Sequence, residues 1–122
     1  MKIKDFTDLN TWQEAHQLVL EIYKITKTFP MEEKFGLINQ MRRCSVSITS
    51  NIAEGFSRRS SKEKIQFFYL SLGSLTELQN QLLISKDLKF ISETSFRKLF
   101  DKTRIVSKLT NGLIKSANML NT

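Results

Sequence analysis

One histidine and one cysteine are the side chains of this 122-residue chain best suited to acid–base or nucleophilic work near neutral pH. His16 has no carboxylate or cysteine at a neighbouring spacing that makes a dyad, so it reads as a structural, partly exposed imidazole. Cys44 falls between Met41 and Ile48 at helical steps, where a thiol behaves as a small buried hydrophobe. A lone cysteine cannot form an intrachain disulfide, and no Cys/His cluster is present for a structural zinc. The Glu-x-x-His pairs of carboxylate-bridged di-metal bundles and a Gly-rich phosphate loop are both missing. The expectation is a protein without catalytic residues, metal, cofactor or small-molecule substrate.

Basic residues carry the stronger signal. Residues 1–56 hold seven basic and seven acidic side chains and residues 57–122 hold twelve and five, so the net charge of +7 belongs to the second half. A pI near 9.7 favours an anionic partner, nucleic acid before a membrane surface. Arg97, Arg104, Lys108 and Lys115 follow steps of seven, four and seven, which puts them on one helical face about 27 Å long at 1.5 Å per residue. Lys98 and Lys102 flank that face, and only Asp101 interrupts it. A second cluster, Arg58, Arg59, Lys62 and Lys64, stands where a helix N-terminus would add its own positive end. Such residues neutralise phosphates without reading bases.

A third pattern is polar rather than charged. Gln40, Arg43, Ser47, Asn51 and Glu54, with Gly55 beside them, recur at steps of three, four, four and three. The stripe suits either a ligand or partner surface, or a hydrogen-bonded network that pairs Arg43 and Glu54 with other helices or other subunits.

Four helical segments must position these groups. The first runs from about Trp12 to Thr28, with Thr11-x-x-Glu14 as a capping box and Phe29-Pro30 as its stop. The second, from about Phe35 to Phe56, carries Leu37, Met41, Cys44, Ile48 and Ile52 and is expected to end in a left-handed Gly55. A capping box at Ser60-x-x-Glu63 opens the third, which continues through Ile65, Phe68, Leu72, Leu75, Leu78 and Leu82. The fourth starts near Ser92, carries Phe96, Leu99, Val106, Leu109, Leu113 and Ala117, and frays at Asn121-Thr122. No period-2 alternation competes. Short connections make neighbours antiparallel, and the chain is expected to be one all-α domain, residues 1–122, folded as an up-down-up-down four-helix bundle. Leu20, Leu70, Phe100, Ile105 and Ile114 exceed what one apolar stripe per helix needs, which points to a surface shared between subunits. No apolar h-region or run of about 18 apolar residues occurs, so a cytoplasmic setting is expected.

Taken together, Asp8-Leu9, Trp12-Gln13, Tyr23, Phe29-Pro30, Phe35-Gly36-Leu37, Gln40, Arg42-Arg43, Ser47, Asn51-Ile52-Ala53-Glu54-Gly55 and Gly73-Ser74-Leu75-x-Glu77-Leu78 resemble the four-helix-bundle proteins of the 23S ribosomal RNA intervening-sequence family. The resemblance spans nearly the whole chain. It departs at Thr49, where the family commonly has proline. What it implies is a bacterial, ring-like homopentamer without a known reaction, similar to the accessory protein of diversity-generating retroelements, which works with a reverse transcriptase and nucleic acid. The function expected is therefore a non-enzymatic homo-oligomer whose basic surface meets RNA or DNA backbone. The alternative is a scaffold or adaptor that docks a second protein such as a polymerase or reverse transcriptase.

Overall fold

The computed structural model describes residues 2–120. Four helices, α1 (Asn10–Thr26), α2 (Leu37–Ser57), α3 (Ser61–Asp87) and α4 (Glu93–Leu120), account for most of the chain, and no strand occurs among the described residues. Cross-helix pairs fix their directions. Met41, Ser47 and Gly55 of α2 meet Ser85, Ser74 and Phe68 of α3, so rising numbers on one helix face falling numbers on the other. Gln79 with Thr103 and Lys86 with Phe96 give the same reversal between α3 and α4. Glu14 reaches Lys102 and Ile25 lies near Leu99, which closes α4 against α1. The bundle is antiparallel, with α1 packed on α2 and α4, and α3 packed on the same two.

The core runs along one axis. Ala15, Leu18 and Ile22 of α1, Met41, Ile48 and Ile52 of α2, Leu75, Leu78 and Leu82 of α3, and Val106 of α4 are fully buried. Small hydroxyls sit in this core: Ser71 of α3 donates across to the Ile48 carbonyl of α2 at 3.0 Å, and Thr110 donates within α4 to the Val106 carbonyl at 2.7 Å. Both hydroxyls thereby keep a partner where water is excluded.

The helix ends differ from expectation at Thr11, Gly55 and Phe35. Thr11 is not a cap but a buried residue inside α1; the capping box is Asp5 with Asp8, on a 3-10 turn (Phe6–Asp8) that precedes the helix. The side-chain and backbone donors of Thr7 hold the Asp5 carboxyl below the usual carboxylate range. Gly55 does not end α2 in a left-handed conformation, since no described glycine has a positive φ. The helix continues to Ser57, and Gly55 serves close approach: a Cβ there would lie 2.6 Å from Cε1 of the buried Phe68. Among the described residues the left-handed one is Lys89, φ 63°, which ends α3 in a Schellman motif in which the N–H of Phe90 bonds the Ser85 carbonyl and that of Lys89 the Lys86 carbonyl, both at 2.9 Å.

Other boundaries follow the sequence signals. Ser60 caps α3, its hydroxyl accepting from the Glu63 N–H at 3.1 Å, and Ser92 accepts from the Ser95 N–H at 3.0 Å at the start of α4. At Thr49 the second helix runs on unbroken, with the Thr49 hydroxyl donating to the Val46 carbonyl. Phe35, expected to open α2, lies outside it and is 86% exposed. Of the surplus apolar residues, Leu20, Leu70 and Ile105 are about half exposed, whereas Ile114 is buried and Phe100 tilts against Phe96. The fraying expected at Asn121-Thr122 lies outside the described residues.

Candidate functional site

The fourth helix delivers the basic stripe as the heptad-like spacing requires. Leu99, Thr103, Val106, Thr110, Ile114 and Ala117 turn into the core, and Arg97, Arg104, Lys108 and Lys115 lie on the opposite face, all exposed. Two of the four cations are locally engaged. Arg97 lies 3.6 Å from Glu93, and Arg104 lies 3.4 Å from Asp101 while its guanidinium covers the Phe100 ring at 4.7 Å. Glu93 is therefore a second acid on a stripe that Asp101 alone was expected to interrupt. These are exposed i,i+4 and i,i+3 pairs, worth a few tenths of a kcal/mol and easily exchanged for a phosphate. Among the described residues Lys108 and Lys115 have no ion-pair partner.

The flanking lysines do not extend this face. Lys102 turns towards α1 and binds Glu14 at 3.0 Å, so it ties the bundle together. Lys98 lines a cavity of about 310 Å³ between α1 and α4, with Lys24, Thr28, Ser95 and the apolar Ile25 and Leu99. In that cavity one oxygen of Glu21 is buried without a hydrogen-bond partner.

At the α2–α3 turn the second cluster is split between structure and surface. Arg58 bonds Glu54 at 3.2 Å, approaches Glu63 at 4.0 Å and stacks over the Phe67 ring at 4.6 Å. Lys64 donates to the Phe56 carbonyl at 2.7 Å and caps the end of α2. Arg59 and Lys62 are exposed and unpaired among the described residues. Three residues join α2 to α3, so this turn stands at one end of the bundle.

The polar stripe of α2 divides in the same way. Ser47 shares a 2.9 Å hydrogen bond with Ser74 of α3, and the Asn51 amide donates to the Ser47 carbonyl and hydroxyl at 2.9 and 3.1 Å. That half is a network across the tightest pair of helices. Glu54 pairs with Arg58, the residue that follows its own helix, not with another helix. Gln40 and Arg43 are exposed and make no side-chain hydrogen bond among the described residues; together with Asn39, Cys44, Ser47, Ser74 and Glu77 they line a groove of about 320 Å³. Ser74, Glu77 and Asn39 were not singled out as site residues from the sequence. The period of α3 puts Ser74 and Glu77 on adjoining positions, but only the α2–α3 register sets them opposite Arg43.

The remaining reactive groups are quiet. Cys44 is buried and its thiol donates to the Ser74 carbonyl at 3.0 Å. Burial first, and then the negative charge of Glu77, push the thiol up to about 12, so it is protonated at neutral pH. His16 stacks on Trp12 with ring centroids 4.6 Å apart and planes within 14°. Among the described residues no group of three or more His, Cys, Asp or Glu is placed to hold a metal ion, and no helix is long and apolar enough to cross a membrane. Arg42, outside the expected stripe, staples α1 to α2: its Nε donates to the Thr26 hydroxyl at 2.9 Å and its guanidinium covers the Tyr23 ring at 4.8 Å.

Comparison with known proteins agrees with this architecture. A solved structure from Bacteroides thetaiotaomicron, described as a protein with unknown function from the S23 ribosomal protein family, superposes with a TM-score of 0.77 over 86% of this chain and 98% of its own length. At 19% identity that likeness speaks for the four-helix fold. No curated protein matches the chain. The family model described as 23S rRNA-intervening sequence protein matches residues 7–112, from the 3-10 turn before α1 to the last third of α4. With that match over most of its length and all four helices in place, the chain belongs to the 23S rRNA-intervening sequence protein family.

Proposed function

We propose that this protein is a non-enzymatic homo-oligomer, assembled as a ring of five, that binds RNA or DNA through the backbone. The observation that carries the binding half is the face of α4 opposite the core, where Arg97, Arg104, Lys108 and Lys115 stand exposed along about 27 Å. That span covers several phosphates of an extended strand, and none of these side chains is needed to close the bundle. Each contact alone is weak. Repetition of the stripe around a ring raises the effective concentration of the next contact, so affinity arises from multivalency.

The assembly half is supported by two separate apolar patches. Leu20, Tyr23 and Val46 are exposed on the α1–α2 side, and Tyr69 and Leu83 are exposed on the outer side of α3. In the bundle α1 lies diagonally across from α3, so the patches point apart. Two unlike surfaces on opposite sides favour head-to-tail contact, which closes into a ring when the rotation permits. Five subunits come from the family resemblance, not from the patches.

The test is direct. Light scattering at micromolar protomer concentration is expected to give the pentamer mass, and a monomer removes the assembly half. Retardation of single- and double-stranded probes is expected to be nearly sequence-independent, with a log-log salt slope of about 0.7 to 0.9 for each phosphate neutralised. Replacing Arg104 and Lys108 with Gln together is expected to flatten that slope while helicity and mass stay unchanged. No retardation at low salt overturns the binding half and leaves a protein scaffold as the better reading.

A further inference from the structure

The groove between α2 and α3 holds two opposite charges that do not pair. Arg43 of α2 and Glu77 of α3 line the same space of about 320 Å³, yet no ion pair within 4.0 Å joins them among the described residues. Asn39 and Gln40 add two planar amides to the same rim, and neither makes a side-chain hydrogen bond among the described residues. The floor differs. Ser47 shares a hydrogen bond with Ser74 and accepts one from the Asn51 amide, and the Cys44 thiol, close to Glu77, donates to the Ser74 carbonyl. A floor bonded within itself, beneath a rim whose two opposite charges make no ion pair with each other, is a surface organised for an incoming polar group.

The rim's chemistry narrows the occupant. One guanidinium and one carboxylate leave the groove nearly neutral, so a phosphate would be attracted by Arg43 and repelled by Glu77. A flat group with two adjacent acceptors on one side and two adjacent donors on another meets both charges at once. Guanine is the base with that pattern: O6 and N7 accept from a guanidinium, and N1–H and N2–H donate to a carboxylate. Adenine lacks the O6 acceptor and the N1–H donor, and the pyrimidines lack an acceptor pair beside a donor pair. Unpaired bases splayed from single-stranded RNA are read in this way, by hydrogen bonds to their edges.

We infer that the Arg43–Glu77 groove of α2 and α3 takes a guanine base, with Arg43 on the O6/N7 edge, Glu77 on the N1/N2 edge, and Asn39 and Gln40 completing the rim. The inference deepens the nucleic-acid reading and depends on it only for the source of the base, a free nucleotide or an unpaired G within RNA. It also gives a backbone-binding helix a partner that reads one base. Arg97, Arg104, Lys108 and Lys115 on α4 hold phosphates without discrimination, and the groove on the other side of α3 supplies the preference.

Two arms test it on the full-length oligomer. In the first, GMP, AMP, CMP and UMP are titrated into 15N-labelled protein. Shifts confined to the amides of residues 39–47 and 74–77, with GMP at least about tenfold tighter than AMP, are expected. In the second, a 12-residue oligouridine is compared with the same oligomer carrying one central G. The single G is expected to tighten binding by about tenfold or more in the wild type. Glu77→Gln removes the acceptor pair at an exposed position and is expected to abolish the G preference in both arms, with oligouridine affinity unchanged. The Arg104 and Lys108 double replacement is expected to weaken oligouridine and leave the G preference intact. Preference in the GMP arm identifies nucleotide as a source, and preference confined to the oligomer identifies RNA. Equal binding of all bases in both arms, or a G preference that survives Glu77→Gln, overturns the inference. Loss of oligouridine binding alone would overturn only the backbone reading.

Discussion

Gly55→Ala and Gly112→Ala are the same chemical change in two helices, and the structure assigns them opposite signs. Both glycines are helical, so each replacement recovers about 0.8 to 1 kcal/mol of helix propensity. At Gly112 nothing lies within 4 Å of the new methyl group, so that gain stands. At Gly55 the methyl carbon would sit 2.6 Å from Cε1 and 2.9 Å from Cδ1 of Phe68, and 3.2 Å from Cβ of Phe67. Real carbon contacts do not close below about 3 Å, and Phe68, 4% exposed, has no free end to swing away. Relief must come from moving α3 away from α2, an overpacking cost of about 2 to 3 kcal/mol. Gly55→Ala is therefore expected to lose about 1 to 2 kcal/mol and Gly112→Ala to gain about 1, a separation of about 2 to 3 kcal/mol. For a domain of this size that is roughly 6 to 12 °C between the two melting temperatures. Urea and thermal unfolding should be run at one protomer concentration, because an oligomer's apparent stability depends on it. If Gly55→Ala melts with or above Gly112→Ala, the close approach of α2 to α3 is not as described, and Gly55 has some other reason to be small.

Two further predictions concern backbone and titration. Lys89 sits at φ 63°, a conformation that costs a side-chain-bearing residue about 1 to 2 kcal/mol, so Lys89→Gly is expected to raise stability by about 0.5 to 1 kcal/mol in urea unfolding once the added flexibility of the unfolded chain is deducted. The Cys44 thiol, pushed up from 9.0 to about 12 by burial and by Glu77, favours the folded state fully below pH 9. Above that the unfolded chain loses its thiol proton first, so this contribution fades as pH rises from 9 towards 12, and Cys44→Ala is expected to flatten that part of the stability profile. A disulfide-exchange reagent at pH 8 is expected to label Cys44 quickly in denaturant and slowly in the native protein.

The sequence by itself determined the helices and the side of each that is buried. Ile48, Ile52, Leu75, Leu78, Leu82 and Val106 recur at three- and four-residue steps, and a 3.6-residue period leaves them one face to share. The same period placed Arg97, Arg104, Lys108 and Lys115 opposite that face, because direction around one helix is a local property. Caps with local geometry were equally legible at Ser60, whereas Asp5 was hidden because it caps a 3-10 turn rather than the helix that follows. What only the tertiary structure decided is whatever depends on register between helices. Gly55 looks like a helix terminator until Phe68 is seen against it, and Lys102 looks like part of the basic face until Glu14 is seen to hold it. Arg43 and Glu77 are 34 positions apart, and no periodicity in either helix says that they face one groove without pairing. Alignment of one helix along another is set by the fit of side chains such as Ser47, Ser71 and Ser74 into the facing surface. That fit is a sum of small contacts distributed over both helices, so it has no signature in either one alone.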